Sequence, residues 1–221
     1  MLGLFINIIF CVTAGAFAQS TSASSYSSSS SSSHANSYGS NTIPGSQTLM
    51  NGPCPDIVAD RYELNSFSGR WYELERSINM YDSFDECQEI EWRETNTNST
   101  ILIFSAASVL TNETSTTLAE VVPTEKGFMF TYLLPILGRI SNEHQFIGTD
   151  FDTYLINWSC ENVDDNKHIE RTYVFSRHPK LTRAIKHAKR RAFRKYHLTL
   201  PKMIPRDFSN CTAAFKTYNY L

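Results

Sequence analysis

From Arg70 to Arg177 the chain is a succession of short apolar-rich segments separated by polar loops. The segments are Arg70–Ser77, Gln88–Glu94, Thr100–Val109, Thr116–Val122, Gly127–Leu133, His144–Asp150, Thr153–Cys160 and Ile169–Arg177. In several of them apolar and polar residues alternate, which is the period of a pleated strand. Loops such as Glu94–Ser99 and Cys160–Lys167 carry the Asn, Asp and Ser of turns. Eight strands with no helix among them predict an antiparallel up-and-down meander, and closing it into a β-barrel removes the exposed edges.

After Arg177 the period changes. Leu181, Ile185, Ala188, Ala192 and Tyr196 recur at helical spacing, and Pro179 sits where a helix can begin. This apolar stripe is narrow and rich in Ala, so the helix can lie close against a sheet. Its other side carries Lys180, Arg183, Lys186, Lys189, Arg190, Arg191, Arg194 and Lys195, and Pro201 and Pro205 break up the chain beyond it. The expected fold class is all-β, an eight-stranded antiparallel barrel with one C-terminal α-helix packed on its outside.

The N-terminal part has a different composition. Residues 1–18 form a short apolar run ending Ala16-Phe17-Ala18, a small-x-small pattern that reads as a secretory signal cut after Ala18. The run lacks a leading Lys or Arg, but it is shorter than the ~20 residues of a membrane span. Residues 19–51 are dominated by Ser and hold too little apolar surface to offset the entropy of ordering, so a disordered arm, open to O-glycosylation, is expected there. The folded domain is read as 52–221. Its last residues, Phe215–Leu221, form no hydrophobic tail of the kind that directs a lipid anchor. The localisation implied is extracellular.

With Cys11 in the signal, Cys54, Cys87, Cys160 and Cys211 remain, an even set that in an exported chain implies two disulfides with three connectivities open. Their spacing fits no zinc template, and no metal or cofactor is expected. Asn98 and Asn112 head N-glycosylation sequons in polar loops. The sequons at Asn157 and Asn210 are discounted, the first as mid-strand and the second as containing a disulfide cysteine.

Three segments together resemble the lipocalin family. They are Gly69-Arg70-Trp71-Tyr72-Glu73, Thr149-Asp150-Phe151-Asp152-Thr153-Tyr154, and Arg177 at the end of the eighth strand. Within the family the chain resembles the group of apolipoprotein D, Lazarillo-type and bilin-binding proteins. The shared features are Cys54-Pro55, a cysteine starting the second strand, Ser159-Cys160 ending the seventh, and a cysteine after the helix. The resemblance implies the pairs Cys54–Cys160 and Cys87–Cys211. It also implies that Gly69, Trp71 and Arg177 close the barrel, with the guanidinium stacked on the indole. The Ser arm and the unusually basic helix depart from the family pattern.

Alternation then assigns faces. If Cys87 points outward, so do Glu89, Glu91 and Arg93, leaving Gln88, Ile90 and Trp92 inside. If Cys160 points outward, Ile156 and Trp158 face the helix, and Leu155, Asn157 and Ser159 face in. An inward Arg177 carries Phe175 and Tyr173 with it. Leu102 and Phe104, and Phe128, Phe130 and Tyr132, complete the expected lining. Trp71 shares its face with Glu73 and Glu75, which leaves two readings open: a bulge that resets the register, or a carboxylate serving a polar ligand head. The ligand-binding set is therefore Ile90, Trp92, Leu102, Phe104, Phe128, Phe130, Tyr132, Leu155, Tyr173 and Phe175.

A barrel of this size holds one small molecule. The expected function is an extracellular carrier for a small lipophile: a retinoid, fatty acid, sterol or tetrapyrrole. No catalytic motif is present, and no enzyme activity is expected. A haem role would need an inward His ligand, for which His144 is the strand candidate. The alternative function is an extracellular interaction protein acting through the basic helix and the Ser arm. Residues 180–195 hold eight of the 20 basic residues and none of the 22 acidic ones, which suits weak contact with an anionic membrane surface or a glycosaminoglycan. Nucleic acid is not an expected partner of a slightly acidic exported chain. The sequence leaves the oligomeric state open.

Overall fold

A computed structural model describes residues 49–78, 85–95, 99–108, 113–134, 138–209 and 211. Ten strands occur in chain order: β1 Leu49–Asn51, β2 Gly69–Ser77, β3 Asp85–Glu94, β4 Thr100–Ser108, β5 Thr114–Pro123, β6 Phe128–Leu134, β7 Gly138–Thr149, β8 Tyr154–Asp164, β9 Lys167–Ser176 and β10 Met203–Pro205. Each strand from β2 to β9 pairs antiparallel with the next, and β9 pairs back onto β2 through Tyr72↔Ser176, Glu73↔Phe175, Glu75↔Val174 and Arg76↔Tyr173. That last ladder closes an eight-stranded barrel.

Two short strands finish the seam. Arg76 pairs with Tyr173 of β9 and also with Ile204 of β10, so β10 lies on the edge of β2 opposite β9. Ile169 of β9 pairs with Glu161 of β8 and with Leu49 of β1, so β1 covers the edge of β9 that β2 no longer reaches. Leu49–Asn51 fall inside the span read as disordered arm. A Ser-poor stretch with Leu49 and Met50 adds a strand because a free edge of β9 is there to accept it. The proposed signal and the rest of the arm lie outside the described residues.

Helix α1, Arg183–Lys195, packs on the outside of the barrel. It starts later than Pro179, because the Thr182 side chain caps it by accepting a hydrogen bond from the Ile185 N–H at 3.2 Å. Ile185, Ala188, Ala192 and Phe193 are its buried apolar residues. Ala192 and Phe193 cover Ile156 and Trp158, while Ile185 meets Leu74 and Val174. Phe193 lies beside the stripe expected from spacing and widens it. Gly148 of β7 lets α1 come close: a Cβ there would lie 3.3 Å from the Ala192 methyl. No helix among the described residues is long and apolar enough to cross a membrane.

Disulfides join Cys54 to Cys160 and Cys87 to Cys211. The first ties the segment before β2 onto β8. The second ties the residue after the β10 region onto β3. The two largest apolar clusters lie inside the barrel and between the barrel wall and α1, and a small one surrounds the Cys87–Cys211 disulfide with Ala107 and Phe208.

Candidate functional site

One end of the barrel is filled. A 3-10 turn at Leu64–Phe67 carries Phe67 into the barrel axis, where it is fully buried against Trp92, Phe128 and Phe146. Beside it, the Trp71 indole N–H donates to the Phe67 carbonyl at 2.8 Å. The Arg177 guanidinium lies 3.8 Å from the Trp71 ring centroid and donates to the Arg70 and Phe151 carbonyls. Gly69 adopts φ +91°, and a Cβ there would sit 3.4 Å from Arg177 Nη1. A positive φ and the adjacent guanidinium together account for glycine at this position.

The turn between β7 and β8 holds this arrangement. The Asp150 carboxylate accepts from the Thr153 and Tyr154 N–H groups at 2.8 and 3.0 Å. The Thr149 hydroxyl accepts from the Phe151 N–H at 2.9 Å and donates to the Tyr154 carbonyl at 2.8 Å. The Phe151 ring is thereby delivered against Phe67 and Tyr62.

Above this plug lies a cavity of about 270 Å³. Ile90, Phe104, Phe130, Tyr132, Tyr173 and Phe175 supply much of its apolar and aromatic lining. Polar and charged groups share the lining: Gln88, Asn142, His144, Asn157, Ser159, Arg76, Arg171 and Glu73. His144 is stacked on Phe130 at 4.2 Å, and its Nδ1 meets Asn157 Oδ1 at 3.1 Å. Burial pushes its pKa from 6.5 down to about 4, against the Asn157 hydrogen bond and with the help of the Arg171 charge. The imidazole is therefore neutral at physiological pH. Burial raises the Tyr132 hydroxyl far above its ordinary range, so it too stays uncharged.

Of the two readings of Glu73 and Glu75, the bulge that resets the register is the one seen. The β2–β9 register shifts between them, so Glu73 faces the cavity while Glu75 turns outward under α1 and pairs with Lys189. Glu73 is met by Arg76 at 2.9 Å and Arg206 at 3.3 Å. Arg171 Nη2 donates to Glu161 at 2.8 Å.

Residues 68–209 match the Lipocalin / cytosolic fatty-acid binding protein family. The chain belongs to this family. Apolipoprotein D of Cavia porcellus is 24% identical over 170 residues, which are 75% of this chain and 87% of the relative. Insecticyanin of the tobacco hornworm Manduca sexta superimposes with a TM-score of 0.64 at 18% identity, over 75% of this chain and 92% of that one. Apocrustacyanin C2 superimposes with a TM-score of 0.61 at 17% identity, over 72% of this chain and 89% of that one. At these identities the structural likenesses bear on the fold.

In this lipocalin, six of the ten residues proposed for ligand contact form the cavity wall: Ile90, Phe104, Phe130, Tyr132, Tyr173 and Phe175. The other four, Trp92, Leu102, Phe128 and Leu155, also point inward but are packed into the plugged end with Phe67 and Trp71. Alternation tells inside from outside and carries no measure of depth along the axis. Sequence reasoning misses Phe67 as the plug, although a bulky apolar residue four before the motif Trp is an available signal. It misses Arg76 and Arg171 because a barrel interior is expected to be apolar. His144 and Asn157 pair with each other in the wall. Asn98 and Asn112 lie outside the described residues.

The basic helix is less free than its sequence implies. Lys189 is buried on Glu75, and Lys195 pairs with Asp60. Lys180, Arg183, Lys186, Arg190, Arg191 and Arg194 remain exposed, and none makes an ion pair among the described residues.

Proposed function

We propose that this lipocalin is an exported carrier that encloses one small lipophilic molecule in the barrel. The observation that carries the reading is the cavity itself, lined by aromatic side chains interleaved with a smaller set of polar groups. Its volume of about 270 Å³ lies just below the ~300–1,000 Å³ usual for ligand pockets. That favours a slender retinoid or a single acyl chain over a sterol or a tetrapyrrole. Export is supported by two disulfides that each span more than a hundred residues, which persist in oxidising compartments.

Intrinsic tryptophan fluorescence is a poor reporter for this site. Trp71 and Trp92 belong to the plugged end and Trp158 to the helix seam, and none of the three lines the cavity. Displacement of an environment-sensitive fluorescent lipid from the disulfide-intact chain is the direct test. Retinoids or fatty acids should displace it saturably at micromolar concentration. Thr117→Trp, which fills the cavity from a partly exposed position, should weaken the probe at least tenfold with an unchanged circular dichroism spectrum. A folded chain from which no lipophile class displaces the probe is no carrier.

A second reading applies to the outside and rests on the six exposed cations of α1 and its lead-in. It is weak docking on an anionic surface. Passage through immobilised heparin at low salt without retention would end it.

A further inference from the structure

Helix α1 breaks two local rules of helix stability at once. Its first turn holds Arg183 and Lys186 and no acidic residue, although the positive end of the helix dipole disfavours cations there. Further along, Lys186 and Arg190, and Arg190 and Arg194, stand four residues apart, where like charges destabilise a helix. No Asp or Glu lies between Lys180 and Lys195 to relieve them. Lys180, Arg183, Lys186, Arg190, Arg191 and Arg194 are exposed and make no ion pair among the described residues. A local rule broken without a compensating contact in the chain marks a surface that meets something else.

The cations form a band along the axis. At 3.6 residues per turn, Arg183, His187, Arg190 and Arg194 fall within roughly 60° of one another, and Lys186 and Arg191 flank them on either side. From Arg183 to Arg194 the band is about 16 Å long. The other side of α1, with Ile185, Ala188, Ala192 and Phe193, is buried. The large apolar residues exposed among the described residues lie elsewhere, at Leu49, Val58, Leu118, Val122, Leu133 and Val163. The helix therefore presents no apolar side chain of the kind that inserts into a bilayer interface. Outside residues 180–195 the chain carries 12 basic against 22 acidic residues, which repels a polyanion everywhere but at the band. Four of the six exposed cations are Arg, whose planar fork fits oxyanions two oxygens at a time. A narrow, purely electrostatic, Arg-rich band suits a linear polyanion better than a plane of lipid head groups.

Resting on the docking reading of the outer face, we propose that α1 binds a linear sulfated polysaccharide laid along the helix axis. The guanidiniums of Arg183, Arg190 and Arg194 donate to successive sulfate groups, and Lys186 and Arg191 supply charge from the flanks. Release of the small cations condensed on the polymer drives binding, which therefore weakens steeply with salt. The band lies on the face of α1 turned away from the barrel, so a polysaccharide outside and a lipophile inside are held independently.

The test uses the oxidised full chain on immobilised heparin, with the eluting salt as readout. Soluble heparin and hyaluronan, a polysaccharide with carboxylates and no sulfate, serve as competitors, and vesicles of phosphatidylserine and phosphatidylcholine serve as the planar alternative. The wild-type chain should elute above physiological salt, ~0.15 M, and should not sediment with the vesicles at that salt. Hyaluronan should compete at least tenfold less well than heparin. Arg183→Gln combined with Arg190→Gln and Arg194→Gln should elute below ~0.15 M. With its like charges removed, that variant should unfold at no lower temperature than the wild type. Lys126→Gln with Arg139→Gln and Lys167→Gln changes the net charge equally at exposed positions off the helix, and should elute with the wild type. An equal loss in this second variant overturns the band. Vesicle binding as tight as heparin binding, or competition by hyaluronan equal to that by heparin, overturns the sulfated polymer and leaves docking on an anionic surface standing. So does wild-type elution below ~0.15 M, while passage at low salt without retention ends both. If circular dichroism shows the helix variant unfolded, Arg190→Gln alone decides, and an unchanged eluting salt overturns the band.

Discussion

At the scale of single residues, the plugged end and the cavity make different demands. Gly69 is confined by its φ of +91° and by Arg177. A side chain in left-handed backbone costs about 1–2 kcal/mol, so Gly69→Ala should lower stability by that amount in a denaturant titration. His144 should govern acid stability. Its pKa of about 4 in the folded chain lies below the ordinary 6.5, so the unfolded state binds the proton first as pH falls. The contribution is complete above pH 6.5 and is lost between there and pH 4, to a total of about 3 kcal/mol. His144→Gln should flatten stability across that window, measured as the urea midpoint against pH. The motif residues Trp71 and Arg177 are legible from sequence because their spacing is distinctive. Arg171 and Ser159 are not: the alternation that puts Ser159 inside does not show that its partner across the ladder is a buried guanidinium.

At the scale of elements, strand β2 and helix α1 explain each other. A strictly alternating β2 would have put Glu73 and Glu75 on the same face. The register shift sends Glu75 outward, and α1 answers with Lys189. Removing one member of a buried pair strands the other charge, which costs roughly 3–5 kcal/mol. Lys189→Ala should therefore unfold at clearly lower denaturant, and Lys189→Met combined with Glu75→Leu should recover most of the loss. Failure of the double variant to recover would mean that the seam depends on the ion pair itself. In the sequence Lys189 falls among the exposed cations, because only its neighbours in the chain are visible there. The strands themselves are legible to within a few residues, except where β7 and β8 extend well beyond their apolar segments. Those extensions, Gly138–Glu143 and Glu161–Asp164, are polar, and ladder hydrogen bonds rather than side-chain pattern make them strands.

At the scale of the whole molecule, the disulfides hold the two ends of the domain to the barrel wall. Each closes a loop of more than a hundred residues, for which the chain-entropy contribution is about 4.7 kcal/mol. Replacing Cys54 and Cys160 together by Ala should lower the thermal midpoint by several degrees, and so should replacing Cys87 and Cys211. Scanning calorimetry would measure both, and an unchanged midpoint in either would show that the tie is ornamental to stability.

The short strand β1 has a further consequence for how copies of the protein behave toward each other. It occupies main-chain donors and acceptors at Lys167–Ile169 that β2 does not reach. A chain trimmed to begin after Asn51 keeps both disulfides and the whole barrel, but leaves this row open. An open row of peptide groups is a template for another chain, so the trimmed protein should self-associate as its concentration rises, in sedimentation or light scattering, while the longer chain does not. The three residues next to the Ser-rich arm would then act as a guard against clumping.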